Sequence, residues 1–300
     1  MRQRIIAALL GTSLLFTLSV VAADQKPLIQ DYASAVISAP ADFLRADPFY
    51  KKYVDAEGIA ILSSEKVPDS ALLVARDIAV HMLANRPDIR AAMVAERWRV
   101  GVMAQSESTT DIPEHRNLKK PGIEHVTAIE RAHYDRIAKL TDKQYWDKRA
   151  RGLGGNPTTC AEENLLGYPG TRYFGENIFV HEFSHAIHQG IRLADPKLAA
   201  EIDQAYRDAM QLGLWKNSYG ETNSSEYWAE GTQFWFHSNY EYVDGNTRIN
   251  TPLDLLRYDP KLYELLSRVY PDHRIPADVY HGKQIPPPPT HKPGAMNVLQ

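Results

Sequence analysis

Apolar residues run almost unbroken from Ile5 to Val21, behind two arginines in Met1–Arg4 and ahead of the small residues Ala22 and Ala23. A basic start, an apolar middle and a small-residue exit form the pattern of a secretory signal peptide, here residues 1–23. The pattern predicts a secreted or periplasmic protein without a membrane contact after signal cleavage. Leu28–Asp47 is mixed and partly helical in character. Gly58–Ser63 (GIAILS) reads as a short buried strand, and Pro68–Ser70 turns the chain into an apolar-periodic helix from Ala71 to about Ala84, which Arg86-Pro87 stops. Arg97–Ala104 (RWRVGVMA) alternates and reads as a second strand. Residues 125–150 read as loop plus a charged helix, and Arg151–Thr159 (RGLGGNPTT) as a mobile, Gly-rich surface loop near a cleft. Helical periodicity then returns at about 176–190, 196–212, 224–239 and 253–269. The tail, 285–300, holds four consecutive prolines and predicts an extended, poorly ordered end. Strands early and helices late, without βαβ alternation, predict an α+β fold with 24–284 as one domain.

Composition narrows the function classes. The 300 residues are 44% hydrophobic and 24% charged, with a formal charge of −3. A chain of this length buries a sizeable core, and the charge balance argues against a nucleic-acid partner. The single Cys160 allows no intramolecular disulfide, and a buried, inert thiol is the default for it. The Gly-rich loop lacks the GK[ST] ending of a phosphate-binding loop.

The candidate chemistry lies at 181–185, where His181-Glu182-Phe183-Ser184-His185 matches HExxH. On a helix, positions i and i+4 share a face, so both imidazoles can hold one metal ion. Glu182 sits beside that face, where it can take a proton from a metal-activated water. Gly175-Glu176-Asn177 opens the helix and Gly190 closes it. A catalytic zinc needs a third ligand and one position left for water. Ile191 stands where a metzincin would carry its third His, which excludes that arrangement. Glu226, on the next helix but one, is the candidate, with Thr222–Ser225 starting the helix. Glu230, one turn further, can accept the outer N–H of a ligand histidine. His188 shares the metal face and reads as a wall residue, and Asp111, Glu114 and His115 read as a polar surface loop.

Tyr219-Gly-Glu-Thr-Asn-Ser-Ser-Glu226, followed by Ala229-Glu230, resembles the segment after HExxH in the catalytic domain of anthrax lethal factor and its relatives, a branch of the gluzincins. HEFSHA at 181–186 resembles the same group's first motif, and the likeness covers about 176–236. It implies a zincin-like fold, with an active-site helix and a small sheet, holding Zn2+ on His181, His185 and Glu226. Glu182 would be general base, Tyr219 would stabilise the oxyanion, and Glu230 would be the second acid. It further implies a zinc-dependent metallopeptidase with a peptide or protein substrate, bound as an added strand on a sheet edge, for which Arg97–Ala104 is the candidate. Two other classes keep the metal site: a zinc hydrolase of non-peptide amides or of cell-wall or glycan-linked substrates, and a non-catalytic zinc-binding module. An intact Glu182 and Tyr219 argue against the last, since neither is needed to hold a metal.

Overall fold

The computed structural model describes residues 37–285, apart from Thr127. The signal peptide expected at 1–23 and all of the proline-rich tail beyond Ile285 lie outside the described residues.

The chain begins with a hairpin, β1 (Lys52–Ala56) and β2 (Ile59–Ser63). Glu57 and Gly58 both take positive φ, 53° and 99°, which is the backbone a two-residue hairpin turn requires. From β2 the chain crosses through α1 (Asp69–Met82) and α2 (Pro87–Ala95) to β3 (Arg99–Met103), which pairs with β2 in parallel. Pro87, expected only as a stop, is also the first residue of α2, where its missing N–H costs nothing. Three short helices follow, α3 (Ala128–Ala132), α4 (Tyr134–Ala138) and α5 (Asp142–Arg149), the last opened by a Thr141–Gln144 capping box. The fourth strand, β4 (Thr158–Ala161), pairs in parallel with β3, so the sheet order is β1-β2-β3-β4. The α+β class stands, although α1 and α2 form a parallel crossover that the absence of obvious alternation had hidden.

This order corrects two expectations. β3 is an interior strand with both edges occupied, so Arg97–Ala104 is not available to an incoming strand. The supposed loop at 151–159 instead supplies the start of β4 and a backbone bridge on its outer side, with Leu153 and Thr159 exchanging hydrogen bonds at 3.3 and 2.9 Å.

Helices make up most of the rest: α6 (Glu162–Leu165), α7 (Ile178–Ala194), α8 (Pro196–Leu212) and α9 (Ser224–Trp235). A small hairpin, β5 (Tyr242–Asp244) and β6 (Thr247–Ile249), then leads to α10 (Pro252–Tyr258) and α11 (Pro260–Ser267). Asn177 caps α7 through Val180 N–H, and Phe179, Val180, Phe183, Ala186, Ile187 and Ile191 fill the core beneath the sheet. Gly190 does not end α7. A Cβ there would lie 2.8 Å from Ile89 and Met93 of α2, so the glycine serves a close helix–helix approach and the helix runs four residues further. The helix expected at 253–269 is two helices. Asp259 breaks it, accepting Leu262 N–H as the cap of α11 while its other oxygen accepts from Trp215 Nε1 (3.0 Å) and Tyr227 OH (2.7 Å). Among the described residues no helix is long and apolar enough to cross a membrane.

Candidate metal centre

α7 and α9 make the most extensive helix pair of the fold, and their facing sides carry the polar cluster. His181 Nε2 lies 3.1 Å from Glu226 Oε2, and His185 Nε2 lies 3.3 Å from the same oxygen. Asn223 caps α9 by accepting from Ser225 and Glu226 N–H, which fixes where Glu226 leaves the helix.

The outer nitrogens are also held. His181 Nδ1 stands 2.9 Å from Gln233 Oε1. The Gln233 amide cannot be turned round without loss, because its NH2 faces two acceptors, Glu176 Oε1 at 3.3 Å and Asn177 C=O at 3.1 Å. Its oxygen therefore faces His181, and His181 Nδ1 carries the hydrogen. Nε2 is then the nitrogen that meets the Glu226 carboxylate: in the protonated ring it donates to it, and in the neutral ring it turns a lone pair toward it, which a metal cation between the two would satisfy. Two imidazoles and one carboxylate converging this way fit zinc with one open position. His185 Nδ1 contacts Ser225 Oγ at 2.8 Å.

Ligating atoms of His181, Glu182 and His185 lie within 4.8 Å of one another, and so do those of Glu176, His181 and Glu230. The second group uses a side of His181 already engaged by Gln233. In the first, no hydrogen bond joins Glu182 to either imidazole, whereas Glu226 reaches both. Glu226 is thus better placed than Glu182 to be a third ligand, and Glu182 stays beside the same face. Glu230 Oε1 is 3.8 Å from His181 Nδ1, so Gln233 holds the place that the sequence suggested for Glu230. Asn239 donates to both Glu230 (3.0 Å) and Gln233 (3.3 Å).

Burial works against the charge of His181 and of Glu226, but their mutual hydrogen bond outweighs it. The imidazole is held well above its ordinary value and the carboxyl well below. Burial pushes Glu182 up, only partly opposed by the two histidines. Glu230 is pushed up to about 7 by burial and by Glu176 and Glu226. Tyr219 is raised to about 12 by burial and Glu226. Its ring centroid is 6.2 Å from that of His181, at the mouth of the site, with 39% of the residue exposed.

The Gly-rich segment lies against the same helix. A Cβ on Gly154 would meet the His185 ring at 3.0 Å, and one on Gly152 would meet Thr159 C=O at 2.9 Å and Glu182 Cγ at 3.1 Å. Only glycine lets backbone pass this close to both residues.

Five residues weighed on sequence stand apart. His188 is fully buried, receives Arg192 Nη2 at 3.4 Å and is pushed down to about 4 by burial and that arginine, so it remains a neutral core residue. Cys160 is buried, its thiol pushed well up by burial and then by Glu163 and Glu182, which disfavours a zinc-binding thiolate. Asp111, Glu114 and His115 diverge: Asp111 closes a capping box with Ser108, and Glu114 accepts from Tyr50 OH.

No protein family and no curated protein matches the chain. Among solved structures, the Pro-Pro endopeptidase from Paenibacillus alvei overlaps it with a TM-score of 0.43 at 16% identity, covering 70% of this chain and 97% of that one.

Proposed function

We propose that the protein is a zinc-dependent metallopeptidase of the gluzincin type, acting on peptide or protein substrates outside the cytoplasm. The observation that carries this reading is the convergence of His181 Nε2, His185 Nε2 and Glu226 Oε2, with Glu182 at their side and Tyr219 across the opening.

In this reading His181, His185 and Glu226 would hold a zinc ion, which supplies a polarised carbonyl and a water of lowered pKa. Glu182 accepts the proton of the attacking water and delivers it to the leaving amine. Its buried position favours both tasks by keeping its basicity above that of an exposed carboxylate. Tyr219 donates its O–H to the oxygen on which negative charge grows, a contribution on the order of 10²–10³ in rate.

Substrate backbone is offered an edge at 152–154. Leu153 turns its N–H and C=O to Thr159, and strand alternation turns the peptide groups of Gly152 and Gly154 the other way. Both glycines face α7, so a peptide added there would run past Glu182 and His185.

Elemental analysis of wild type beside Glu226→Ala tests the site, and a peptide-library screen of wild type beside Glu182→Gln tests the chemistry. About one zinc per chain, much reduced in Glu226→Ala, with cleavage abolished by chelator, is the expected result. Absence of zinc after reconstitution, or cleavage that survives both chelator and Glu182→Gln, would overturn it.

A further inference from the structure

Arg149 ends α5, in a part of the chain that contributes nothing to the zinc ligands, yet its guanidinium reaches the mouth of the site. Nη2 donates to Tyr219 Oη at 3.3 Å, and Nε donates to Glu130 Oε1 at 3.0 Å. Glu130 is 1% exposed, and the same oxygen accepts Tyr145 OH at 2.8 Å. The Arg149 side chain is itself 17% exposed, so a buried carboxylate fixes an almost enclosed cation against one phenol oxygen.

We infer that Arg149 is a positioning residue for Tyr219, fixing the direction in which the phenol donates. This rests on the peptidase reading of the site. A phenol oxygen carries one hydrogen, which prefers the ring plane and so has two favoured directions. An arginine N–H donating to that oxygen blocks one direction and leaves the other for the substrate oxygen. Tyr219 needs such a partner because it sits on a short 3₁₀ turn, Tyr219–Glu221, and the residue is 39% exposed. Without Arg149, water would compete for the same hydrogen. The cation also polarises the O–H and strengthens it as a donor to growing negative charge. Lysine is a poor replacement, since one ammonium does not reproduce the fork that spans Glu130 and Tyr219.

A purely structural role would be neutralisation of Glu130, and a double-mutant cycle on the zinc-loaded enzyme separates the two. Because Arg149→Met leaves Glu130 buried without its cation, the paired variant Glu130→Gln, Arg149→Met is made alongside it. The expected result is a fall in kcat on the order of tenfold or more with KM little changed, and no further fall when the substitution is added to Tyr219→Phe. An equal loss in the wild-type and Tyr219→Phe backgrounds, or no loss in either, would overturn the inference. A second readout does not need turnover. With 3-fluorotyrosine at position 219, followed by 19F NMR, both Arg149 variants should ionise at higher pH than the parent, because a neighbouring cation has gone. Unchanged ionisation would overturn the pairing. A zinc-loaded wild type that cleaves no peptide would count against the peptidase reading alone, and the fluorine titration would still decide the Arg149–Tyr219 relationship.

Discussion

His181 and Gln233 meet at 2.9 Å across the α7–α9 contact, and that single bond decides which nitrogen of the neutral imidazole is left bare. Gln233 is itself oriented by Glu176 and the Asn177 carbonyl, so the tautomer of a candidate ligand is set two hydrogen bonds away from it.

Removing that control should weaken metal binding without abolishing it. Gln233→Leu is expected to lower zinc affinity by about 10–100-fold, read by competition with a chromogenic chelator. Unchanged affinity would show that the bond does not tune the ligand.

Glu182→Gln should separate holding the metal from using it. The variant is expected to keep about one zinc per chain while kcat falls by roughly 10²–10⁴. A parallel loss of zinc would make Glu182 a ligand instead of a base.

Glu230 sets a pH dependence in the metal-free protein. Its folded-state value of about 7 lies above its ordinary 4.5, so between those values the folded state holds a proton that the unfolded state has released. Stability therefore falls as pH rises from about 4.5 through 7 and is flat beyond, by roughly 3 kcal/mol from this group. Urea unfolding at pH 5 and pH 8 should show this component in wild type and lack it in Glu230→Gln. An identical pH dependence in the two proteins would refute the assignment.

Gly190 offers a test of packing. Gly190→Ala places a methyl 2.8 Å from Ile89 and Met93, and forcing α2 away from α7 should cost about 1–3 kcal/mol in urea unfolding. A gain in stability, as helix propensity alone predicts, would show that the approach relaxes freely.

How much of this was legible beforehand depends on the range of the interaction. HExxH announced itself because its residues are one turn apart on one helix, and Glu226 because a capped helix start lies just before it. Gln233 could have been found: it follows Glu226 by two turns on the same face of α9, yet a glutamine carries no alarm in a sequence. Ser225 hid inside the cap motif. Arg149 had no signal at all, since its meeting with Tyr219 depends on the placement of α5, which no local pattern encodes. β4 was missed because four residues behind a run of glycines look like loop, and Gly190 misled because close helix packing and a helix end demand the same residue.

Asp259 has one further consequence. One oxygen of its carboxylate gathers Trp215, four residues ahead of Tyr219, and Tyr227, next to Glu226, while the other caps the head of α11. The spacing between Tyr219 and Glu226 is therefore gauged in part from the C-terminal helices. On the proposed peptidase reading, a substitution at Asp259 would imitate an active-site lesion, lowering turnover with every candidate ligand, Glu182 and Tyr219 intact.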